Sequence, residues 1–553
     1  MGQKLKLAKT KGPNEYQKFI QQLLWTKKFL VGQELRKALT EQFKIKDDNA
    51  RKIMQRASLD RILKTSEPLT FGTGQYVYLL ETQPLNIKVI TAVCKKFRPP
   101  VFRLLELLRI NKGIISYFEG LKVTAALEGE NTTKVNSLTE ILSLLSKLNL
   151  VYEVTDKDNF RYIALKKAGK EIDLLQIVEM MRLHLENMIL DSTFLPDITG
   201  WFRKCNLIDN LNIRFRNKNA PHFGVEHNKL TWDGFAYTKT TGINPILGSK
   251  ADSKEKQTLV VLEVLISREL TILDVDGFYS RVQIHLRSVK SGVRKVMPII
   301  VYSSITAQAY RTLKSLGFLA FDMGSIFGSR IYEIMEKMQK LKEFQSMDNE
   351  RIQDAIASTL EIIDQSGQSD SLTAIRGALF EYLMYPVLST IFPKAQIEQG
   401  KKLNIPAVDE QEAEGYEYDY IIRTSAPKEN VIVELKGYRA DATVPLGSTD
   451  RKDRGSLKWF FQRSLPFASR HPYLKDGEGT PLKAVFITSG TYYEDGFEFL
   501  EDLNKGSFRS NSLDLFYDGA KLMDLLKKFS ETKAIDIIEK FYQKKAKNGE
   551  DAL

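Results

Sequence analysis

Asp419, Glu434 and Lys436 stand in two runs that are otherwise apolar, YEYDYIIR and VIVELK, joined by the polar stretch TSAPKEN. In an extended strand alternate residues share a face. Glu417, Asp419, Ile421 and Arg423 therefore line one side of 416–423, and Ile432, Glu434 and Lys436 one side of 431–436. Folding the second run back on the first brings Asp419 beside Glu434 and Lys436. Two carboxylates at a sheet edge repel each other unless a cation joins them. Hard oxygen ligands suit Mg²⁺, which keeps several waters and takes one or two protein carboxylates. A metal-bound water is more easily deprotonated, and a neighbouring ammonium can orient the hydroxide or offset developing charge. Those are the parts that phosphodiester hydrolysis needs.

The elements that must position these residues are also legible. GALFEYLMYPVLSTIF (377–392) predicts a helix ahead of the hairpin. SLKWFFQRSLPF (456–467) predicts another after it, and KAVFITSG (483–490) a further strand. Asp419…Glu434-Leu435-Lys436 on this framework resembles the signature of the PD-(D/E)xK nuclease superfamily, which includes many restriction endonucleases. The resemblance covers roughly residues 372–530. The family's leading proline is replaced by Tyr418. It implies that Glu381, in Gly377-x-x-x-Glu381, joins Asp419 and Glu434 in holding Mg²⁺, for which Mn²⁺ can substitute, and that Lys436 positions or activates the attacking water. Lys458 and Gln462 are the polar groups of the following helix that would face the site. Glu417 stays open as an alternative ligand to Asp419.

The preceding part of the chain repeats this order. KLTWDGFAYTK (229–239) carries Asp233, and QTLVVLEVLI (257–266) carries Glu263. A helix over 276–288, with Gln283, and the strand VMPIIVYSS (296–304) follow. FLAFDMGSIFGSRIYEIMEKM (318–338) answers LDLFYDGAKLMDLLKKF (513–529). Glu263-Val264-Leu265 places leucine where the motif has lysine, so this copy is read as degenerate unless Lys239 or Arg268 moves in.

The front of the chain is basic. Residues 1–112 hold 23 Lys and Arg against 9 Asp and Glu, an excess larger than the net +12 of the whole chain. Such an end suits a polyanion. Helices are expected over 16–30, 31–43 and 49–63, followed by a hairpin in TFGTGQYVYLL, an order that resembles a winged helix. Its third helix is the one that would enter a DNA groove, with Arg51, Lys52, Arg56 and Arg61 as the contacts. A second such unit is expected from helices over 99–111 and 137–150 and a hairpin over 150–165. Its last helix carries Glu140 and only Lys147, which suits packing or protein contact better than DNA.

The length of 553 residues exceeds one ordinary core. The expected fold is a multidomain α+β and α/β chain. It comprises winged-helix-like units at 1–84 and 85–170, a degenerate nuclease-like module at 171–345 and a nuclease module at 346–553, with the polar segment QSGQSDS (365–371) as the clearest linker. Two cysteines allow no disulfide framework, and His222 and His227 lack the second pair a zinc site needs. With no run of 18 apolar residues, the expectation is a soluble protein of a prokaryotic cytoplasm that does not engage membranes. The implied activity is Mg²⁺-dependent cleavage of double-stranded DNA by a restriction-like enzyme with separate reading and cutting domains, with a homodimer for double-strand cleavage. A nicking or junction-specific nuclease and a non-catalytic DNA-binding protein are the alternatives.

Overall fold

A computed structural model describes residues 14–543 except 72–75, 128–136, 168, 209–212, 239–257, 289–295, 342–343, 345–346, 406–413, 440, 451–452 and 476–478. It is a mixed α and β multidomain structure.

The first unit runs helix Glu15–Lys27, strand Leu30–Val31, helices Gly32–Phe43 and Asp47–Leu59, then strands Leu63–Thr65 and Val77–Leu80, with Val77–Leu80 central. Asn14 and Gln17 form a capping box that starts the first helix. The third helix stops at Leu59, earlier than its apolar period suggests. Arg61 adopts a left-handed conformation (φ 56°), and the reversed chain buries Leu63 in the sheet. Arg61 therefore lies beyond the helix, which carries only Arg51, Lys52 and Arg56. The strand expected at the start of TFGTGQYVYLL forms instead at 63–65, and the glycine turn at 72–75 lies outside the described residues.

The second unit repeats that order: Pro99–Ile110, Ile114–Ser116, Tyr117–Thr124, Leu138–Lys147, Val151–Thr155 and Arg161–Leu165, the last strand again central. The two units share a core in which Val31 and Leu79 join Ile90, Leu104 and Ile163.

Two five-stranded sheets follow, and they have the same plan. In the first, strands Arg214–Phe215, Gly234–Thr238, Thr258–Leu265, Val296–Tyr302 and Leu319–Asp322 lie side by side in chain order. In the second, the strands are Gln396–Ile405, Glu414–Ser425, Lys428–Lys436, Leu482–Thr488 and Phe516–Tyr517. In both, the first two neighbour pairs are antiparallel and the last two parallel. Each parallel crossover contains a helix, the usual way to span the length of chain that joins parallel strands. One apolar core runs through both modules and includes Val264 and Ile299 of the first with Leu379, Val433 and Ile487 of the second. The segment 365–371 is accordingly a turn between two packed helices, Asn349–Gln365 and Thr373–Ile391, and does not divide two cores. Among the described residues no helix is long and apolar enough to cross a membrane.

Candidate active site

The hairpin of the second sheet turns at Ala426-Pro427, with Ser425 opposite Lys428, so its strands are longer than the alternation alone suggests. Its register, Ile421 opposite Ile432 and Tyr420 opposite Val433, places Asp419 next in line with Glu434. Regular pairing ends there. The backbone N–H of Leu435 instead donates to Oδ2 of Asp419 at 2.7 Å, which fixes that carboxylate across the end of the strand. Lys436 Nζ lies 2.5 Å from Oε1 of Glu434. Gly437 follows, and a Cβ there would fall 2.4 Å from Cβ of Phe380. Only glycine lets the helix Thr373–Ile391 approach so closely, and this approach brings Glu381 to the site.

Glu381 does not meet Lys436. Both its carboxylate oxygens accept from Lys218 Nζ, at 2.8 and 2.9 Å. Lys218 belongs to the loop that follows the first strand of the other module. Its neighbours hold Glu417: Asn217 Nδ2 donates to Oε2 at 2.7 Å, and Asn219 donates to Oε1. Sequence reasoning missed Lys218, because no local pattern links a loop residue to an acid 163 positions away. Gln462 lies exposed on the helical segment Phe460–Ser464, and the hydrogen bonds of Asp419, Glu434 and Lys436 do not run to it. Lys458 is partly buried in the preceding turn.

The charges are unevenly satisfied. Burial, then Glu434 and Glu381, hold the Asp419 carboxyl well above its ordinary range, against the pull of Lys436 and the Leu435 amide. Burial works against the Lys436 ammonium, but Glu434 and Asp419 outweigh it and raise its pKa. Burial also raises Glu417, against the opposing pull of Lys218. Among the described residues no group of three or more His, Cys, Asp and Glu is arranged to hold a metal ion. Glu381 is engaged by Lys218 and Glu434 by Lys436, and the adjacent pair Asp419 and Glu434 is the number of carboxylates Mg²⁺ takes. The adjacent carboxyls of Asp419 and Glu434 are hard oxygen donors, the kind of ligand a divalent cation takes.

The first sheet carries the same geometry in another electrostatic state. Gly234 pairs with Leu262, so Asp233 falls in line with Glu263 as Asp419 does with Glu434. The N–H of Val264 donates to Oδ2 of Asp233 at 3.0 Å, as that of Leu435 does to Asp419. Here three cations meet two acids. Lys122 Nζ, from helix Tyr117–Thr124, lies 2.5 Å from Asp233 and 2.8 Å from Glu263. Arg216 reaches Asp233 at 3.0 Å and Arg281 reaches Glu263 at 2.5 Å. Burial would raise Asp233, but Lys122 and Arg216 prevail and lower it. The compensating cation is thus Lys122 and not Arg268, which holds Asp274 at 2.7 Å. Lys239 lies outside the described residues.

At the front, Arg51, Lys52 and Arg56 are exposed along one side of their helix, and Arg51 also meets Asp47 at 3.1 Å. Arg61 is exposed in the turn after it. In the second unit the hairpin turns inward: Phe160 stacks on His222 with 3.9 Å between ring centroids, and Asp158 lies 3.8 Å from Lys401 of the second sheet. That hairpin is a packing element. Comparison with family models, with curated proteins and with solved structures returns no match.

Proposed function

We propose that the chain is a Mg²⁺-dependent endonuclease of double-stranded DNA, with a PD-(D/E)xK-type site at Asp419, Glu434 and Lys436. The observation that carries this is the contrast between two sites of equal register. In the first sheet Lys122 and Arg216 outweigh burial and lower Asp233, whereas in the second Lys436 and the Leu435 amide do not offset burial, Glu434 and Glu381, and Asp419 is raised.

Asp419 and Glu434 would hold the ion, with Glu381 on their flank. Bound there, Mg²⁺ supplies neutralisation of the acids and a water acidified toward neutral pH. Lys436, gripped by Glu434, presents an ammonium at the strand end, where it orients the water and offsets charge on the phosphate oxygens. The first sheet, sealed by Lys122, Arg216 and Arg281, is a nuclease-like module without activity.

The helix and strand order of the two front units is that of a winged helix. The first docks on the duplex through Arg51, Lys52 and Arg56, with Arg61 beside them. One competent site per chain cuts one strand, so double-strand cleavage takes two chains or two sequential events. A single chain acting once would nick.

Incubation of a random-sequence duplex library with the protein and Mg²⁺, followed by sequencing of new ends, tests this. Ends at a fixed distance from a common sequence are expected, with none in EDTA. A library left intact in both Mg²⁺ and Mn²⁺ would exclude the activity.

A further inference from the structure

The loop 216–221 bridges the two sites. Arg216 is 2% exposed, and it is pinned by Asp233 at 3.0 Å and by the Pro221 carbonyl, to which its Nη1 donates at 3.1 Å. Its own N–H donates to the Asp233 carbonyl at 2.8 Å. The acid of the sealed site thus fixes the loop through both backbone and side chain. Two residues further on, Lys218 delivers its ammonium to Glu381 of the open site.

The second module is built to receive this loop. Gly400 interrupts the pairing between Gln399–Tyr420 and Lys401–Tyr418 and adopts a left-handed φ of 62°. A Cβ there would lie 3.2 Å from Cγ of Asn219. Both the conformation and the space favour glycine. Asn219 and Asn217 then take Glu417, so three consecutive side chains hold two acids, one from the helix and one from the strand. Burial would weaken the Lys218 ammonium, yet Glu381, and then Asp419, outweigh it. Asp419 is therefore within the electrostatic reach of Lys218 as well as of Lys436.

We propose that Lys218 is a tethered cation of the open site, aimed by the sealed one, and that it competes with a divalent cation for Glu381. This rests on the metal-dependent reading of Asp419 and Glu434 and adds a positioning residue from outside the motif. The sealed module then serves the open one, because its Asp233 holds the loop that sets how strongly the neighbouring site takes its ion. Lys218 weakens cation binding by engaging both Glu381 oxygens, and its displacement frees a third carboxylate.

The test is calorimetric binding of Mn²⁺ to the full chain without DNA. Lys218→Met should bind Mn²⁺ about tenfold more tightly than wild type, because one more ligand charge is released. Lys218→Arg, which keeps the charge, should stay near wild type. In a Glu381→Gln background Lys218→Met should tighten binding far less, because only the longer-range influence of Lys218 on Asp419 remains. Thermal unfolding in EDTA establishes that each variant is folded, and a merely structural lysine would not produce this dependence on Glu381. Equal or weaker binding by folded Lys218→Met, or tightening just as large in Glu381→Gln, would overturn the proposal while leaving the metal site standing. If neither wild type nor Lys218→Met binds Mn²⁺ at millimolar concentration, the metal site itself falls and this proposal falls with it.

Discussion

The amide of Leu435 donates to Asp419 at 2.7 Å, and the equivalent amide of Val264 donates to Asp233 at 3.0 Å. One backbone geometry thus holds two acids whose surroundings are opposed. Lys122 and Arg216 lower Asp233, whereas Asp419 is raised despite Lys436.

Asp419 should make stability fall with rising pH when no metal is present. Its folded pKa is raised, so the folded state holds the proton more tightly than the unfolded chain does. That contribution is complete below the ordinary carboxylate range and is lost as pH climbs through the raised value. Melting curves in EDTA should show the fall in wild type and a flatter profile in Asp419→Asn. Mg²⁺ at ten times its Kd should stabilise wild type by about 1.4 kcal/mol and the variant by much less.

Lys122 should matter to stability. It is 7% exposed and serves two buried acids. Lys122→Met leaves them with only their arginines and should cost roughly 3–5 kcal/mol, the usual consequence of breaking one side of a buried ion pair. Chemical denaturation checks this. Adding Asp233→Asn and Glu263→Gln should return part of the loss, because the stranded charges go with them.

Arg51, Lys52 and Arg56 should act on DNA affinity through salt. Replacing all three with alanine should reduce the slope of log K against log salt by up to about 2.7, at about 0.9 per phosphate contact. Fluorescence anisotropy across a salt series reads the slope. Asp47→Ala should move affinity the other way, because it releases Arg51.

Much of the site is legible in the sequence because strands write their faces at a period of two. Asp419, Glu434 and Lys436 follow from alternation within 23 residues, and the repeated sheet follows from the order of apolar runs. The cations that decide the state of each site are not legible there. Lys122 and Arg281 reach Asp233 and Glu263 from helices, and Lys218 reaches Glu381 from a loop. Only tertiary packing creates such contacts. Helix Tyr117–Thr124 does carry a local signal, the Ser116–Glu119 capping box, in a segment too short for its apolar period to register. Arg61 falls beyond its helix, contrary to expectation, because nothing in the apolar pattern announces a left-handed residue.

The most direct measurement is relaxation of supercoiled plasmid in Mg²⁺ by wild type and by Lys436→Ala, both shown to be folded. Wild type should convert the plasmid to open-circular and linear forms, and loss of the Lys436 ammonium should slow this by about 100- to 1000-fold, as removal of a group that stabilises transition-state charge does. Equal cutting by the two proteins, or plasmid that stays supercoiled with wild type across varied sequences, would contradict a nuclease site at Asp419, Glu434 and Lys436.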